Sequence, residues 1–201
     1  MRVVDYGSQE WRRLRASLAR GSAPREEVRA AVARVLRDVR RSGDRALVRY
    51  TARFDGVRLS AATLKVQPKE LHAAARRADA RLVAALKAMA RRIEAYHRRQ
   101  LERGFRIDLG RGSWIEESVR PLDSAGLYVP GGAGAYPSSV LMNAIPARVA
   151  SVPRVAVVTP PRALDENPAL AAALAIVGLE DCVYRVGGAQ AIGALAYGTA
   201  S

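Results

Sequence analysis

Two glycine-bearing segments hold the residue types and spacings that could do chemistry in this sequence. The first is Gly126-Leu-Tyr-Val-Pro-Gly-Gly-Ala-Gly-Ala-Tyr-Pro-Ser-Ser139. It follows a candidate strand and precedes a candidate helix, the place where α/β proteins bind ligands. Gly131, Gly132 and Gly134 would let backbone amides approach a phosphate or ribose closely. The full G-x-G-x-x-G dinucleotide fingerprint is absent, because position 137 is proline. A tight turn demanding positive φ explains the same glycines, so both readings stand. The second segment is Arg185-Val-Gly-Gly-Ala-Gln-Ala191. Gly187 and Gly188 make a strand-to-helix turn, and Gln190 falls in the first turn of the helix. Its amide offers a donor and an acceptor to a ligand at the strand ends. An ordinary polar residue near a helix start would look the same.

Other chemistry-bearing residues are sparse. His72 and His97 lie 25 residues apart in helical segments, without metal-ligand spacing, and read as surface residues. Cys182 reads as a small apolar residue in a strand. Asp165-Glu166 precedes a helix and suits a capping or dipole role. There is no Cys/His cluster, nucleophile elbow or P-loop.

The elements that would position these residues change character near Arg106. Before it the pattern is helical. Ser22-Ala-Pro-Arg-Glu-Glu27 predicts a helix start, and Val28, Val32, Val35, Leu36 and Val39 follow at helical spacing to Ser42-Gly43. Asp44 is expected to cap a helix ending at Asp55-Gly56. A short strand is expected at Leu64-Lys65-Val66. Pro68 opens another helix, and Asp79 caps a long one running to about Glu102. After Arg106, strands are predicted at Ser113–Arg120, Ala125–Val129, Arg154–Thr159 and Asp181–Val186. Helices are predicted from Ser138 to Val149, Asn167 to Val177 and Gly188 to Tyr197. Strands alternating with helices of this length imply βαβ units.

The expected fold class is therefore α/β, a helical N-terminal region followed by an incomplete Rossmann-like parallel sheet with flanking helices. The expected division is 1–105 basic and mainly helical, 106–125 strand and connector, and 126–201 a Rossmann-like segment truncated at its C-terminus. A right-handed crossover after the last helix normally delivers the chain to another parallel strand, which is not within these 201 residues.

Composition narrows the classes. Aromatics are 5% of the chain and hydrophobic residues 49%, so the core is aliphatic. No apolar run approaches the roughly 18 residues of a membrane span. The opening MRVVDYGSQEWRRL has no apolar signal-peptide core. With one cysteine no internal disulfide can form, and a cytoplasmic location is expected. The net charge is +14. Residues 1–120 hold 29 basic against 14 acidic side chains, and 30 of all 33 basic residues are arginine. They are spread through amphipathic helices without interleaved stacking aromatics. Solvated helix faces therefore explain them better than an RNA-binding surface, and no nucleic-acid or membrane partner is expected.

Several blocks resemble the histidinol dehydrogenase family. They are Gly126-Leu-Tyr-Val-Pro-Gly-Gly132, Tyr136-Pro-Ser-Ser-Val-Leu-Met-Asn-Ala-Ile-Pro-Ala147, Val158-Thr-Pro-Pro161, Val186-Gly-Gly-Ala-Gln-Ala-Ile192 and Ala194-Leu-Ala-Tyr-Gly-Thr199. Upstream, Ser42-Gly-Asp44 and Tyr50-Thr-Ala-Arg-Phe-Asp55 are similar too, and the resemblance covers essentially the whole chain. It implies NAD-dependent, zinc-dependent oxidation of L-histidinol to L-histidine through an aldehyde, in histidine biosynthesis, by a homodimer with Rossmann-like domains. Tyr128 and Gln190 match positions that contact NAD. The family's zinc ligands, its Glu-His acid/base pair and a further NAD-contacting Asn correspond to positions beyond Ser201, so no catalytic or metal-binding residue is expected here. The chain is then expected to be an N-terminal portion of such an enzyme, inactive alone. Half of a split enzyme, completed by a separate C-terminal partner, is the alternative.

Overall fold

The computed structural model describes residues 3–19, 26–132 and 136–201. Its centre is a three-stranded parallel sheet in the order β3-β4-β5, made of Ala125–Tyr128, Val155–Thr159 and Val183–Arg185. Ala125 pairs with Val155 and Tyr128 with Val158, while Val157 pairs with Val183. Helix α7 (Pro137–Val149) links β3 to β4; α8 (Ala163–Glu166) and α9 (Pro168–Ile176) link β4 to β5. Helix α10 (Gly188–Tyr197) follows β5.

A parallel sheet must be covered on both faces, and alternation along each strand divides the core accordingly. Val157, Val183 and half-buried Leu127 join one apolar cluster with Leu71, Leu86, Leu141, Ile145, Leu170 and Leu174. Those partners lie on α5 (Pro68–Ala75), α6 (Ala80–Arg98), α7 and α9. Val158, Val186, Tyr128 and Tyr184 face the other way. They pack with Val35, Val39, Leu47, Tyr50 and Ala191, on α2 (Glu26–Ser42), α3 (Asp44–Phe54) and α10. The N-terminal helices therefore supply part of both outer layers. Helix α9 is buried over Ala169–Leu174, as an all-apolar helix should be.

The local chemistry is mostly as the sequence predicts. Asp79 accepts a hydrogen bond from the Leu82 amide at 3.0 Å and caps α6. Pro68 opens α5, where the Gln67 amide donates to Glu70 at 3.0 Å in a capping box. The expected cap at Ser22 lies outside the described residues. Other expectations need correction. Asp44 is the first residue of α3, with Gly43 at the N-cap; its carboxylate instead accepts from the Ser201 amide and hydroxyl at 3.0 and 2.8 Å. The strand expected at Leu64–Val66 is a short helix, α4 (Ala61–Leu64), followed by a single antiparallel bridge from Lys65 to Tyr184. A run of three apolar-flanked residues is too short for periodicity to distinguish the two. Helix α6 ends at Arg98, and the strand expected from Asp181 begins at Val183, so Cys182 sits in a 3-10 turn at Glu180–Cys182.

Two elements were not resolved in the sequence pattern. One is helix α1 (Gln9–Ala19); the other is β1 (Phe105–Gly110), which forms an antiparallel hairpin with β2 (Ser113–Glu117). Every residue of this hairpin is exposed. Several basic side chains also sit exposed and pair with acids, as Arg49 does with Asp38 at 2.7 Å and Arg98 with Glu94 at 2.8 Å. Among the described residues no helix is long and apolar enough to cross a membrane.

Glu70 links two layers. Its carboxylate takes the Gln67 amide and also the Arg185 guanidinium of β5 at 2.6 Å. The Gln67 amide, with Arg185 adding to it, holds the Glu70 carboxyl below its ordinary value. A group depressed in the folded state contributes stability above its unfolded pKa and loses it as pH falls through the folded value. Glu70→Gln is expected to lower stability by about 1 kcal/mol at pH 7. Thermal unfolding from pH 7 down to pH 3 checks this: the gap should narrow as pH falls, and a constant gap would contradict the ionic role.

Candidate functional site

Parallel pairing puts the carboxyl ends of β3, β4 and β5 at one edge of the sheet. Three loops leave from there: Val129–Gly132, Pro160–Arg162 and Val186–Gly187. They lie close together because two of them carry glycine where they meet Pro160. A Cβ on Gly131 would stand 3.1 Å from the Pro160 Cγ and 3.0 Å from the Ala163 Cβ. One on Gly187 would stand 3.1 Å from the same Cγ. Pro160 is thus wedged between the first and third loops.

The turn into α10 brings together residues far apart in sequence. Gly188 has φ of 64°, a left-handed conformation in which side chains are strained. Its amide donates to the Tyr128 hydroxyl at 3.2 Å, which ties the end of β3 to the start of α10. On its other side, a Cβ would come within 2.8 Å of the Gln190 Oε1. Tyr128 and Gln190, both expected as site residues, therefore flank one glycine. Gly131 lies in the loop after β3, against Pro160; Gly134 lies outside the described residues.

Gln190 is 1% exposed, and neither its Oε1 nor its Nε2 has a hydrogen-bond partner among the described residues. Burying a polar group without a partner costs about 1–3 kcal/mol, and native proteins rarely tolerate it without a reason. Thr159, at the end of β4, is equally buried with an unpartnered Oγ1. Thr159 and Pro160 belong to the Val158-Thr-Pro-Pro161 block, but neither is expected as a site residue from the sequence. Their signal was a hydroxyl closing an otherwise apolar strand, immediately before Pro160-Pro161.

This arrangement suits a ligand with an anionic group. The first turn of a ten-residue helix presents backbone amides and the positive end of its dipole. The Gln190 amide adds one donor and one acceptor. These features fit a dinucleotide: glycines admit close approach, and an orphaned buried amide awaits a partner.

The remaining candidates lie on other elements. His72 lies on α5, and His97 on α6 places its Nδ1 2.6 Å from the Gln100 Oε1. Asp165, within α8, pairs with Arg77 at 3.6 Å. Burial pushes the Cys182 thiol up from its ordinary value, which disfavours a reactive thiolate. Among the described residues, no three His, Cys, Asp or Glu side chains gather as a metal-binding group.

Comparison with known proteins gives a consistent picture. The sequence model of the family described as histidinol dehydrogenase matches residues 18–201. A histidinol dehydrogenase of Syntrophotalea carbinolica is 45% identical over the whole chain, which covers 47% of that relative. One from Rhizobium meliloti is 47% identical over 87% of the chain, covering 40% of the relative. The crystal structure of histidinol dehydrogenase from Elizabethkingia anophelis superposes with a TM-score of 0.78 at 33% identity. That match covers 86% of this chain and 40% of the other. The chain spans about half the length of the curated relatives it matches, in their N-terminal portion.

The turn at Gly188 makes a direct prediction. Gly188→Ala should destabilise the chain by about 1 kcal/mol through its positive φ and push the Gln190 side chain from its position. Urea unfolding measures the first effect, and an unchanged midpoint would show that the turn does not require glycine.

Proposed function

The chain belongs to the histidinol dehydrogenase family, and from that premise we propose that it forms one wall of the NAD site of an enzyme oxidising L-histidinol to L-histidine through the aldehyde. The carrying observation is Gln190, a buried amide with no partner among the described residues, held beside the Gly188 turn that Tyr128 fastens. Tyr128 and Gln190 are the residues proposed to contact the dinucleotide. NAD, when bound, supplies the acceptor for the hydride that leaves the substrate carbon.

The work of this chain's own residues is binding and orientation. The Tyr128 hydroxyl accepts the Gly188 amide proton, so its own O–H remains able to donate to a ligand. That bond also fixes the phenol at the carboxyl end of β3. The Gln190 amide satisfies its orphaned donor and acceptor by bonding a ligand group that has both. The amides at the start of α10 favour a negatively charged pyrophosphate. Gly131 and Gly187 keep the loops low enough for the ligand to reach those amides.

The zinc implied by the family has no ligand set among the described residues. Its ligands, and the acid/base pair that moves protons in both oxidation steps, are proposed to lie outside these 201 residues. The assembled enzyme is proposed to be a cytoplasmic homodimer of the histidine-biosynthetic route.

Two measurements test the reading. Isothermal titration of NAD should show binding that Gln190→Ala weakens by about tenfold; equal affinity of the two proteins would remove Gln190 from the site. The chain alone, assayed with zinc in the buffer, should give no histidinol-dependent NADH. Robust turnover would mean that the acid/base groups are present after all.

A further inference from the structure

The first two strand–helix units of the sheet have the arrangement of a mononucleotide-binding half. The strands run in the order β3-β4-β5, and the helices that join them, α7 and α9, lie on one face. In such a half the first strand-to-helix turn takes the pyrophosphate, and the end of the second strand reads the adenosine ribose. A carboxylate there accepts from the ribose 2′-hydroxyl, and an arginine nearby accommodates a 2′-phosphate. The second strand here is β4, and it runs into Thr159-Pro-Pro-Arg162 without a carboxylate.

The charged groups at this place come from elsewhere in the chain. Thr159 is the register partner of Arg185, the last residue of β5. Val157 and Val183, two residues earlier in each strand, both enter the cluster with α7 and α9. The Thr159 and Arg185 side chains therefore turn to that face as well. The Thr159 hydroxyl is buried there without a partner among the described residues. The Arg185 side chain is only 24% exposed, and its Nη2 donates to the Glu70 Oε2 at 2.6 Å. Glu70 belongs to α5, which packs on the same face, and its bond from the Gln67 amide fixes the carboxylate. An arginine beside the end of the second strand is thus already neutralised, by a carboxylate 115 residues away in sequence. Arg162, in the loop after β4, is exposed, where water and salt screen its charge.

Resting on the NAD reading above, we propose that Glu70 sets the preference of this site for NAD over NADP by holding Arg185. The pair withholds a shielded guanidinium from a 2′-phosphate, while the Thr159 hydroxyl bonds the unmodified ribose. A 2′-phosphate brought to this place meets the Glu70 carboxylate, or must break the 2.6 Å pair to reach Arg185. Specificity is a difference of two affinities, and a group that disfavours the wrong ligand serves it as well as one that favours the right one. Glu70 is in this sense a specificity residue, supplied by the N-terminal helices to a site otherwise built from strand ends.

Isothermal titration of the chain with NAD and with NADP tests this through the ratio of the two affinities. A merely structural role for the pair moves both affinities together and leaves the ratio alone. The wild-type chain should bind NAD more tightly than NADP. Glu70→Gln frees Arg185, and the gap should narrow by about tenfold, the worth of one charge-assisted contact. Arg185→Gln leaves the Glu70 carboxylate unpaired, and the gap should widen. Opposite shifts in the two variants support the proposal, and either variant suffices should the other fail to fold. An unchanged ratio in a folded variant overturns it, as do shifts of the same sign or equal wild-type affinity for the two nucleotides. A wild-type chain that binds neither nucleotide refutes the NAD reading and this proposal together; NAD binding with an unchanged ratio refutes only the role of Glu70.

Discussion

A parallel sheet cannot leave a face in water, because its connections and its apolar side chains lie on both sides. That constraint organises the chain. Val157 and Val158, adjacent on β4, point into two different apolar clusters. The crossover helices α7 and α9 cover one face, and α10 starts the cover of the other. Neither layer is complete without helices from the first hundred residues. Helices α5 and α6 finish one, and α2 and α3 finish the other. The basic N-terminal part is thus bound into the fold through its apolar stripes, with arginines left on the outer surface.

The site follows from the same geometry. Parallel strands end together, so their loops must share a small area, and glycine at positions 131 and 187 lets Pro160 pack between them. The Tyr128 hydroxyl then holds the start of α10 by its Gly188 amide. This bond spans 60 residues of sequence and joins the loops after the first and third strands of the sheet. Against this well-bonded frame, the unpartnered Gln190 amide stands out. Its burial costs stability in the unliganded chain, and a ligand that meets both its donor and its acceptor recovers that cost. The same tension between structure and binding is common at functional sites.

The two edges of the sheet differ. At one edge, Lys65 and Val66 end the pairing, and a charged residue there discourages further strands. At the other edge β3 has no strand neighbour among the described residues. The exposed hairpin of β1 and β2 has a similar character. Ile107 and Ile115 face each other across it, both exposed, and two-stranded hairpins have little stability by themselves in water.

Much was legible in the sequence because it rests on local physics. Alternating strands and amphipathic helices declare a parallel α/β sheet through their periods. Asp79 and Pro68 mark helix starts through capping chemistry. Tyr128 and Gln190 are marked by lying at strand ends next to glycines, and by the family resemblance. Other features depend on partners distant in the chain. Lys65 becomes an edge bridge only because Tyr184 is beside it, and Asp44 turns from capping its helix to bonding Ser201. Thr159 looks like an ordinary strand residue until its hydroxyl is found buried without a partner. The sequence by itself determined the class of fold and singled out the two segments from which the site is proposed. Only the tertiary structure decided that Tyr128 and Gln190 flank the same glycine, and that β3 has the open edge. Periodicity and turn chemistry act within a few residues, whereas strand order, layer assignment and long-range hydrogen bonds exist only once the chain has packed.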